Sequence, residues 1–393
     1  MASITLPWIQ VAALVGAVQG LLLAGVLVAH RKNRTANRLL AALMVSFTVY
    51  LASSVYFYAG LMRVYPHFFG VGYQTPLLFG PLVYLYAVAA SDRSWHFRPR
   101  DALHFLPLAV SVIATAHIYM MTGAEKIAIY DRLERGDVPT VLVMLDPLRY
   151  VSGISYSVAT VLYLRHHRRR VEDSYSNTAR VNLIWLLWLA GAAAAVWLLA
   201  TTLRITDFGA RLSDEHVTLA MALVVYAIGY MGLRQPEVFR YETAEYPVPP
   251  RHEVEAAPVS APEAKTPASR YERSGLSEME SARLESELLA VMERERPWTN
   301  SELTLPELAA RLNSTPHKLS EILNSRIGLS FYDFVNGYRV REVQRRIQAG
   351  EARTRKMLAL ALDAGFASKS TFNETFKKHT LQTPSDFRET VGA

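Results

Sequence analysis

Long apolar stretches dominate the first 240 residues and limit what this half of the chain can fold into. Half of the 393 residues are hydrophobic (51%) and only 20% are charged, which is unusual for a soluble protein of this size. A helix needs about 20 mostly apolar residues to cross ~30 Å of hydrocarbon. Seven segments approach that length: 8–29, 39–60, 68–90, 102–121, 141–164, 181–203 and 217–233. The pattern predicts an all-α fold that begins with a seven-helix transmembrane bundle.

Basic residues in alternate loops predict the orientation of this bundle. Arginines concentrate in the loops 30–38, 91–101 and 165–180, whereas the long loop 122–140 offsets its basic residues with acidic ones. Cytoplasmic loops of membrane proteins carry an excess of Lys and Arg. We therefore expect the N-terminus outside and, after seven crossings, the rest of the chain in the cytoplasm.

The composition changes twice after the apolar half, which predicts three domains. Residues 1–240 form the transmembrane sensor or anchor domain, and residues 241–276 are a Pro/Ala-rich segment expected to be a disordered linker. At Ser277 the pattern Ser277-x-x-Glu280 is a capping box that opens an amphipathic helix. Residues 277–393 are therefore expected to form a helical domain of their own.

Residues 357–379 have the pattern of a helix-turn-helix. Gly365 can take the positive φ that a tight turn between helices requires. The hydroxyl of Ser368 can cap the helix that follows. Phe372 and Phe376 are four residues apart, so they share one face of that helix and are expected to be buried.

A second, earlier unit of the same kind spans residues 304–325. It opens with the capping box Thr304-x-x-Glu307, and its apolar residues repeat the relative positions found in 357–379. A longer helix is predicted to join the two units rigidly. Two such units would place their second helices in successive major grooves, so we expect a footprint of two half-sites about 10 base pairs apart.

The tandem arrangement resembles the DNA-binding domain of the AraC/XylS family of bacterial transcription regulators, over roughly 300–390. The whole chain also resembles members of that family with an N-terminal multi-pass membrane domain. The resemblance implies a sequence-specific regulator in the bacterial inner membrane with double-stranded DNA as its partner. The family often binds DNA as a homodimer, and the nearly balanced charge of 278–393 favours that form here.

Family placement assigns the residues that face DNA. Lys377 and Lys378 resemble phosphate contacts. The alternative is that several of the candidates are simply solvated surface. The family often has arginine where Glu321 and Glu374 stand; glutamate can accept from cytosine N4 but repels phosphate. The base-facing candidates are His317, Ser320, Glu321 and Asn324 in the first unit and Lys369, Ser370, Thr371, Asn373 and Glu374 in the second.

The family usually has glycine where Leu381 stands. A left-handed helix stop costs a leucine about 1 kcal/mol or more. We therefore expect the helix before Leu381 to end in a different way.

Polar residues in the apolar half are candidates for a ligand site, because ionisable groups in a membrane are costly to keep there. Asp146 and Arg149 are three residues apart and can pair on one helix face, and Gln74 interrupts the third apolar segment. The predicted ligand is a small or lipophilic molecule. The alternative is that the pair lies at the membrane surface among lipid headgroups. The histidines show no metal-ligand spacing, and there is no cysteine.

No catalytic motif is present, so no cofactor and no enzymatic activity are expected. The favoured function is a membrane-embedded transcription regulator whose membrane domain senses a signal. Its 36-residue linker favours dimerisation or release over a rigid lever. One alternative is a membrane receptor or transporter with an accessory DNA-binding domain, and another is a membrane domain that only anchors the chain.

Overall fold

The structure is a computed structural model that describes residues 7–30, 33–92, 95–177, 184–205, seven positions between 219 and 227, and 277–392. These residues are helical apart from turns and one antiparallel β-bridge between Tyr175 and Thr304. Two compact units are present. The first comprises Met1–His166 and Leu183–Pro249, and the second comprises His167–Asn182 and Pro250–Ala393. The predicted linker 241–276 lies outside the described residues.

The first unit is built from long apolar helices and short 3-10 turns. Its helices are α1 (Trp8–Ala29), α2 (Arg34–Tyr58), α3 (Pro76–Ser91), α4 (Leu106–Tyr119), α5 (Gly123–Glu134), α6 (Thr140–Glu172) and α7 (Ile184–Ile205). The last residues of α6 belong to the second unit.

Three helical segments, not seven, are long and apolar enough to cross a membrane among the described residues. They are Trp8–Ala29, Arg34–Tyr58 and Pro99–Tyr119. The expectation of seven is wrong for the segment 68–90, because the 3-10 turn Val71–Gln74 occupies its first part and α3 has only 16 residues. Pro76 opens α3, and proline is favoured in a first helical turn because its missing N–H would have no partner there.

The remaining predicted spans differ from expectation for separate reasons. The segment 141–164 lies in α6, a helix of 33 residues that includes Asp146 and Arg149 and ends in basic residues. The segment 181–203 lies mostly in α7, a helix of 22 residues whose apolar part among the described residues is Trp185–Leu198. The segment 217–233 lies mostly outside the described residues.

Helix α1 has two faces of different character. Its buried face consists mainly of small residues, which let helix backbones approach closely, together with Gln10 and Leu27. Gly16 is an example: a Cβ there would lie 3.2 Å from the side chain of Leu51 in α2. The opposite face exposes large apolar side chains, as expected for contact with lipid: Val11, Leu14, Val15, Val18, Leu21, Leu22, Val26 and Val28.

The second unit is a chain of short helices around one long helix. Its helices are α8 (Glu278–Arg294), α9 (Leu305–Arg311), α10 (Pro316–Ile322), α11 (Phe331–Gln348), α12 (Met357–Asp363), α13 (Lys369–Thr380) and α14 (Pro384–Gly392). The predicted capping boxes at Ser277 and Thr304 are confirmed, since each side chain accepts from the backbone N–H three residues on. Ser368 caps α13 in the same way.

The long helix α11 contributes to two hydrophobic cores. Phe334 and Val335, near its start, pack with α8, α9 and α10. Val343 and Ile347, more than two turns later, pack with α12 and α13. Each helix-turn-helix therefore rests on one end of the same rigid helix, which fixes the distance between the two units.

Leu381 ends α13 in the left-handed conformation, with φ of 62°. The expectation that the helix ends differently is therefore wrong. The side chain is 86% exposed, so little packing offsets the steric cost of this backbone conformation.

Replacement of Leu381 with glycine should stabilise the C-terminal domain by up to about 1 kcal/mol, since glycine removes the Cβ that opposes positive φ. Hydrogen exchange of the α13 amides in the full chain measures this change. Leu381→Ala is the matched control, because it removes the side chain and keeps the Cβ. An equal gain in both variants would show that the exposed apolar side chain, not the backbone, carries the cost.

Candidate nucleic-acid interface

Helices α10 and α13 are the second helices of the two helix-turn-helix units. Leu319 and Ile322 bury one face of α10, and Phe372 and Phe376 bury one face of α13. Burial of these faces directs the opposite face of each helix towards solvent, where a partner can reach it. The predicted base-facing residues lie on these two helices or, for Asn324, in the π-helical turn that follows α10.

In the first helix-turn-helix the base-facing candidates differ in their exposure and hydrogen bonding. His317 and Asn324 are exposed, whereas Ser320 and Glu321 are half-buried. The side-chain amide of Asn324 donates to the backbone oxygen of Ser320 at 3.0 Å. Arg326, in the same turn, is held on α8 by Glu278 and Glu285 at 2.5 and 2.6 Å.

In the second helix-turn-helix most of the base-facing candidates are exposed on α13. Lys369, Ser370, Asn373 and Glu374 are exposed, and Thr371 is half-buried. The hydroxyl of Ser368 lies 3.0 Å from the hydroxyls of both Ser370 and Thr371, so two of the candidates share hydrogen bonds with the cap.

The two lysines at the end of α13 have different surroundings. Lys377 is exposed. Lys378 is also exposed, but its Nζ lies 2.5 Å from Oδ1 of Asp333 on α11. A phosphate contact by Lys378 would compete with this ion pair, so Lys377 is the simpler phosphate candidate.

Polar contacts hold α11 to the second helix-turn-helix, α12 and α13. The hydroxyls of Tyr332 and Thr375 lie 3.0 Å apart, and burial raises the pKa of Tyr332. Glu342 accepts hydrogen bonds from Arg345 and Arg346, which lower its pKa to about 2. Since Arg346 also bonds Asp363, it links α11 to α12. Both arginines are engaged along the helix, as a polar helix face predicts.

Sequence reasoning did not single out Arg339, which is 1% exposed at the centre of α11. Burial lowers its pKa to about 10. A signal was available: Arg339 stands four residues after Val335 and four before Val343, both buried. A charged residue in that register must lie on the buried face of the helix.

The turn of the second helix-turn-helix packs directly against the backbone that precedes the first helix-turn-helix. Gly365 has φ of +89°, and a Cβ there would lie 2.3 Å from the carbonyl oxygen of Trp298. The predicted role of Gly365 in the turn is confirmed. The close approach to Trp298 is an additional requirement that the local pattern does not show.

The predicted ligand-site residues of the N-terminal compact unit come together only in part. Asp146 and Arg149 pair, and both line a cavity of about 1010 Å³. The Arg149 guanidinium also lies 4.2 Å from the ring centre of Tyr73. Gln74 is buried and does not line the cavity, but its Nε2 donates to Thr115, which does. No group of three potential metal ligands occurs among the described residues.

Comparison with known families supports the assignment of the C-terminal domain. Residues 308–390 match the model of a family described as helix-turn-helix domain. The match covers both helix-turn-helix units except the first residues of α9, and it supports a DNA-binding regulator of AraC type. No curated protein and no solved structure matches the chain.

Alanine at Gly365 should destabilise the domain by about 2 kcal/mol or more, because it adds both positive-φ strain and a backbone clash. Gly328→Ala is the matched control: Gly328 has φ of +74° and open space around it, so only the strain of about 1 kcal/mol applies. Thermal unfolding of each full-length variant measures the difference. Equal losses would contradict the proposed packing on Trp298.

Proposed function

We propose that this chain is a membrane-embedded, sequence-specific transcription regulator of bacterial type. The observation that carries the proposal is the pair of helix-turn-helix units mounted on one helix, α11. The family match over 308–390 supports DNA as the partner. Double-stranded DNA offers grooves of the size of an α-helix and a direct code of donors and acceptors.

Each helix-turn-helix would read one half-site of the DNA. His317, Ser320, Glu321 and Asn324 would read one half-site. Asn373 and Glu374 are the strongest candidates for the other, because both side chains are exposed on α13. An asparagine can bond adenine in a bidentate manner, and a glutamate can accept from cytosine. Lys369, Ser370, Thr371, Lys377 and Lys378 complete the proposed DNA surface.

The first unit is proposed to lie in the bacterial inner membrane. Three candidate spans and the apolar exposed face of α1 support contact with lipid. The basic residues between the first two candidate spans favour a cytoplasmic loop there and an N-terminus outside. A DNA partner requires the DNA-binding domain in the cytoplasm. Leu305 N–H donates to the Ser174 carbonyl, which supports residues 173–177 and the DNA-binding domain lying on one side of the membrane.

The membrane domain is proposed to sense a signal. The cavity beside Asp146 and Arg149 has room for a small or lipophilic molecule. Its lining combines aromatic rings with a few polar groups, which suits an apolar ligand oriented by one polar end. A homodimer is proposed as the DNA-bound form, by resemblance to the family.

Footprinting tests the DNA-reading proposal. DNA selected from a random pool by the full chain in detergent should show two protected sites about 10 base pairs apart. Glu374→Ala or Asn373→Ala should lose protection at one site only, each costing about 1–3 kcal/mol. Lys377→Ala should weaken both sequence-specific and unspecific binding and reduce the salt dependence by about one charge. Glu293→Ala on the exposed face of α8 is the control. Unselective binding that neither α13 substitution changes would refute the proposal.

Reporter fusions test the orientation. A phosphatase that is active only outside the cytoplasm should be inactive when fused after residue 392, and a cytoplasmic reporter should be active there. The same phosphatase fused ahead of Trp8 should be active. Phosphatase activity at the C-terminal fusion would place the DNA-binding domain away from the chromosome and end the proposal.

A further inference from the structure

Residues 173–177 connect α6 towards α7 in the chain, yet they pack within the DNA-binding unit. We call them the docking segment. Leu305 N–H donates to the Ser174 carbonyl at 3.0 Å, and Ser176 N–H donates to the Leu303 carbonyl at 3.2 Å. These two bonds flank the antiparallel bridge between Tyr175 and Thr304. The docking segment therefore pairs with the backbone that leads into α9 through one antiparallel bridge.

The side chain of Ser176 reaches the buried guanidinium of Arg339. Arginine has five N–H donors and no way to lose its charge at neutral pH. All five are accepted here: by the carbonyls of Trp298, Asn300 and Ser176, the amide oxygen of Asn336 and the hydroxyl of Ser176, at 2.7–3.1 Å. Two of the five acceptors thus belong to the docking segment.

Asn336, like Arg339, donates a hydrogen bond to the docking segment. It is 0% exposed, and its Nδ2 donates to the carbonyls of Ser176 and Tyr332 at 3.0 and 2.9 Å. If the docking segment withdrew, Arg339 and Asn336 would lose buried acceptors together. Buried donors without acceptors are strongly unfavourable, so α11 and its neighbours would have to rearrange or admit water.

The docking segment touches the point where the two helix-turn-helix units meet. Leu303 and Leu305 lead into the first unit, and Arg339 lies at the centre of α11. The Trp298 carbonyl that accepts from Arg339 also packs against Gly365, in the turn of the second unit. A change at this point alters the support of both units at once.

We propose that residues 173–177 are an intramolecular partner of the DNA-binding domain, which hold its two helix-turn-helix units at one spacing and carry the state of the membrane domain to them. Docking is assigned to the DNA-binding form, because it supplies the buried acceptors that hold both helix-turn-helix units at one spacing, and most base-facing candidates are exposed in this arrangement. This route is separate from the linker 241–276. The effect on DNA, though not the docking itself, rests on the proposed DNA-binding function.

Disulfide trapping tests the docking. The chain has no cysteine, so Tyr175→Cys with Thr304→Cys introduces a single pair. Opposed residues of a non-hydrogen-bonded antiparallel pair have Cα atoms about 4.5 Å apart, within the range of a disulfide. The pair should crosslink in native membranes under mild oxidation. Tyr175→Cys with Glu293→Cys on α8 is the control pair and should not.

Substitution tests the effect on DNA. Ser176→Val removes the hydroxyl that bonds Arg339, whereas Ser174→Val is the matched control because Ser174 bonds Leu305 through its carbonyl alone. Loss of the fixed spacing should lower the affinity of the full chain for two-half-site DNA about tenfold or more, with much less effect on single half-sites. The oxidised cysteine pair should keep the affinity of the unmodified protein.

The outcomes separate the two proposals. No crosslink, or equal crosslinking of both pairs, overturns the docking whatever the DNA result. Equal affinities of Ser176→Val and Ser174→Val for two-half-site DNA overturn the coupling. If the unmodified chain protects no DNA while the first pair crosslinks, the docking stands and the proposed function fails.

Discussion

The buried guanidinium of Arg339 is the constraint around which the C-terminal domain is organised. A cation in the interior is tolerated only when its donors are satisfied, and here every acceptor is a neutral oxygen. Those oxygens come from the turn before the first helix-turn-helix, from α11 and from the docking segment. One side chain therefore brings three parts of the chain to a common position.

This arrangement relates the helix α11 to its function. A rigid helix with a hydrophobic core at each end fixes two reading helices at a set distance, which suits successive grooves of DNA. The contacts of Trp298 with both Arg339 and Gly365 extend this rigidity to the turn of the second unit. Spacing is thus a property of buried polar contacts as much as of hydrophobic packing.

The docking segment also gives a physical reason why this chain would retain such a costly buried group. An apolar residue at position 339 would pack without acceptors and would not depend on residues 173–177. A buried arginine makes the domain depend on residues 173–177, which follow α6 in the chain. Buried polar groups can act as registry or switch devices in this way.

Much of the C-terminal domain was predictable because its signals are local. Capping boxes at Ser277 and Thr304, the turn glycine Gly365 and the buried pair Phe372 and Phe376 each depend on residues within one or two helical turns. The apolar half was less predictable. Hydropathy identifies apolar segments but does not show where a helix breaks, so the segment 68–90 contains the 3-10 turn Val71–Gln74 and the short helix α3.

The sequence by itself determined the helical class, the tandem helix-turn-helix units and the apolar character of the first half, because these follow from short-range spacing and composition. Only the tertiary structure decided the partners of Arg339, the left-handed end of α13 at Leu381 and the cavity beside Asp146 and Arg149. Ser176 and Arg339 are 163 residues apart. No local pattern encodes an acceptor at that distance, since the need of a buried donor becomes visible only when the fold brings the two together.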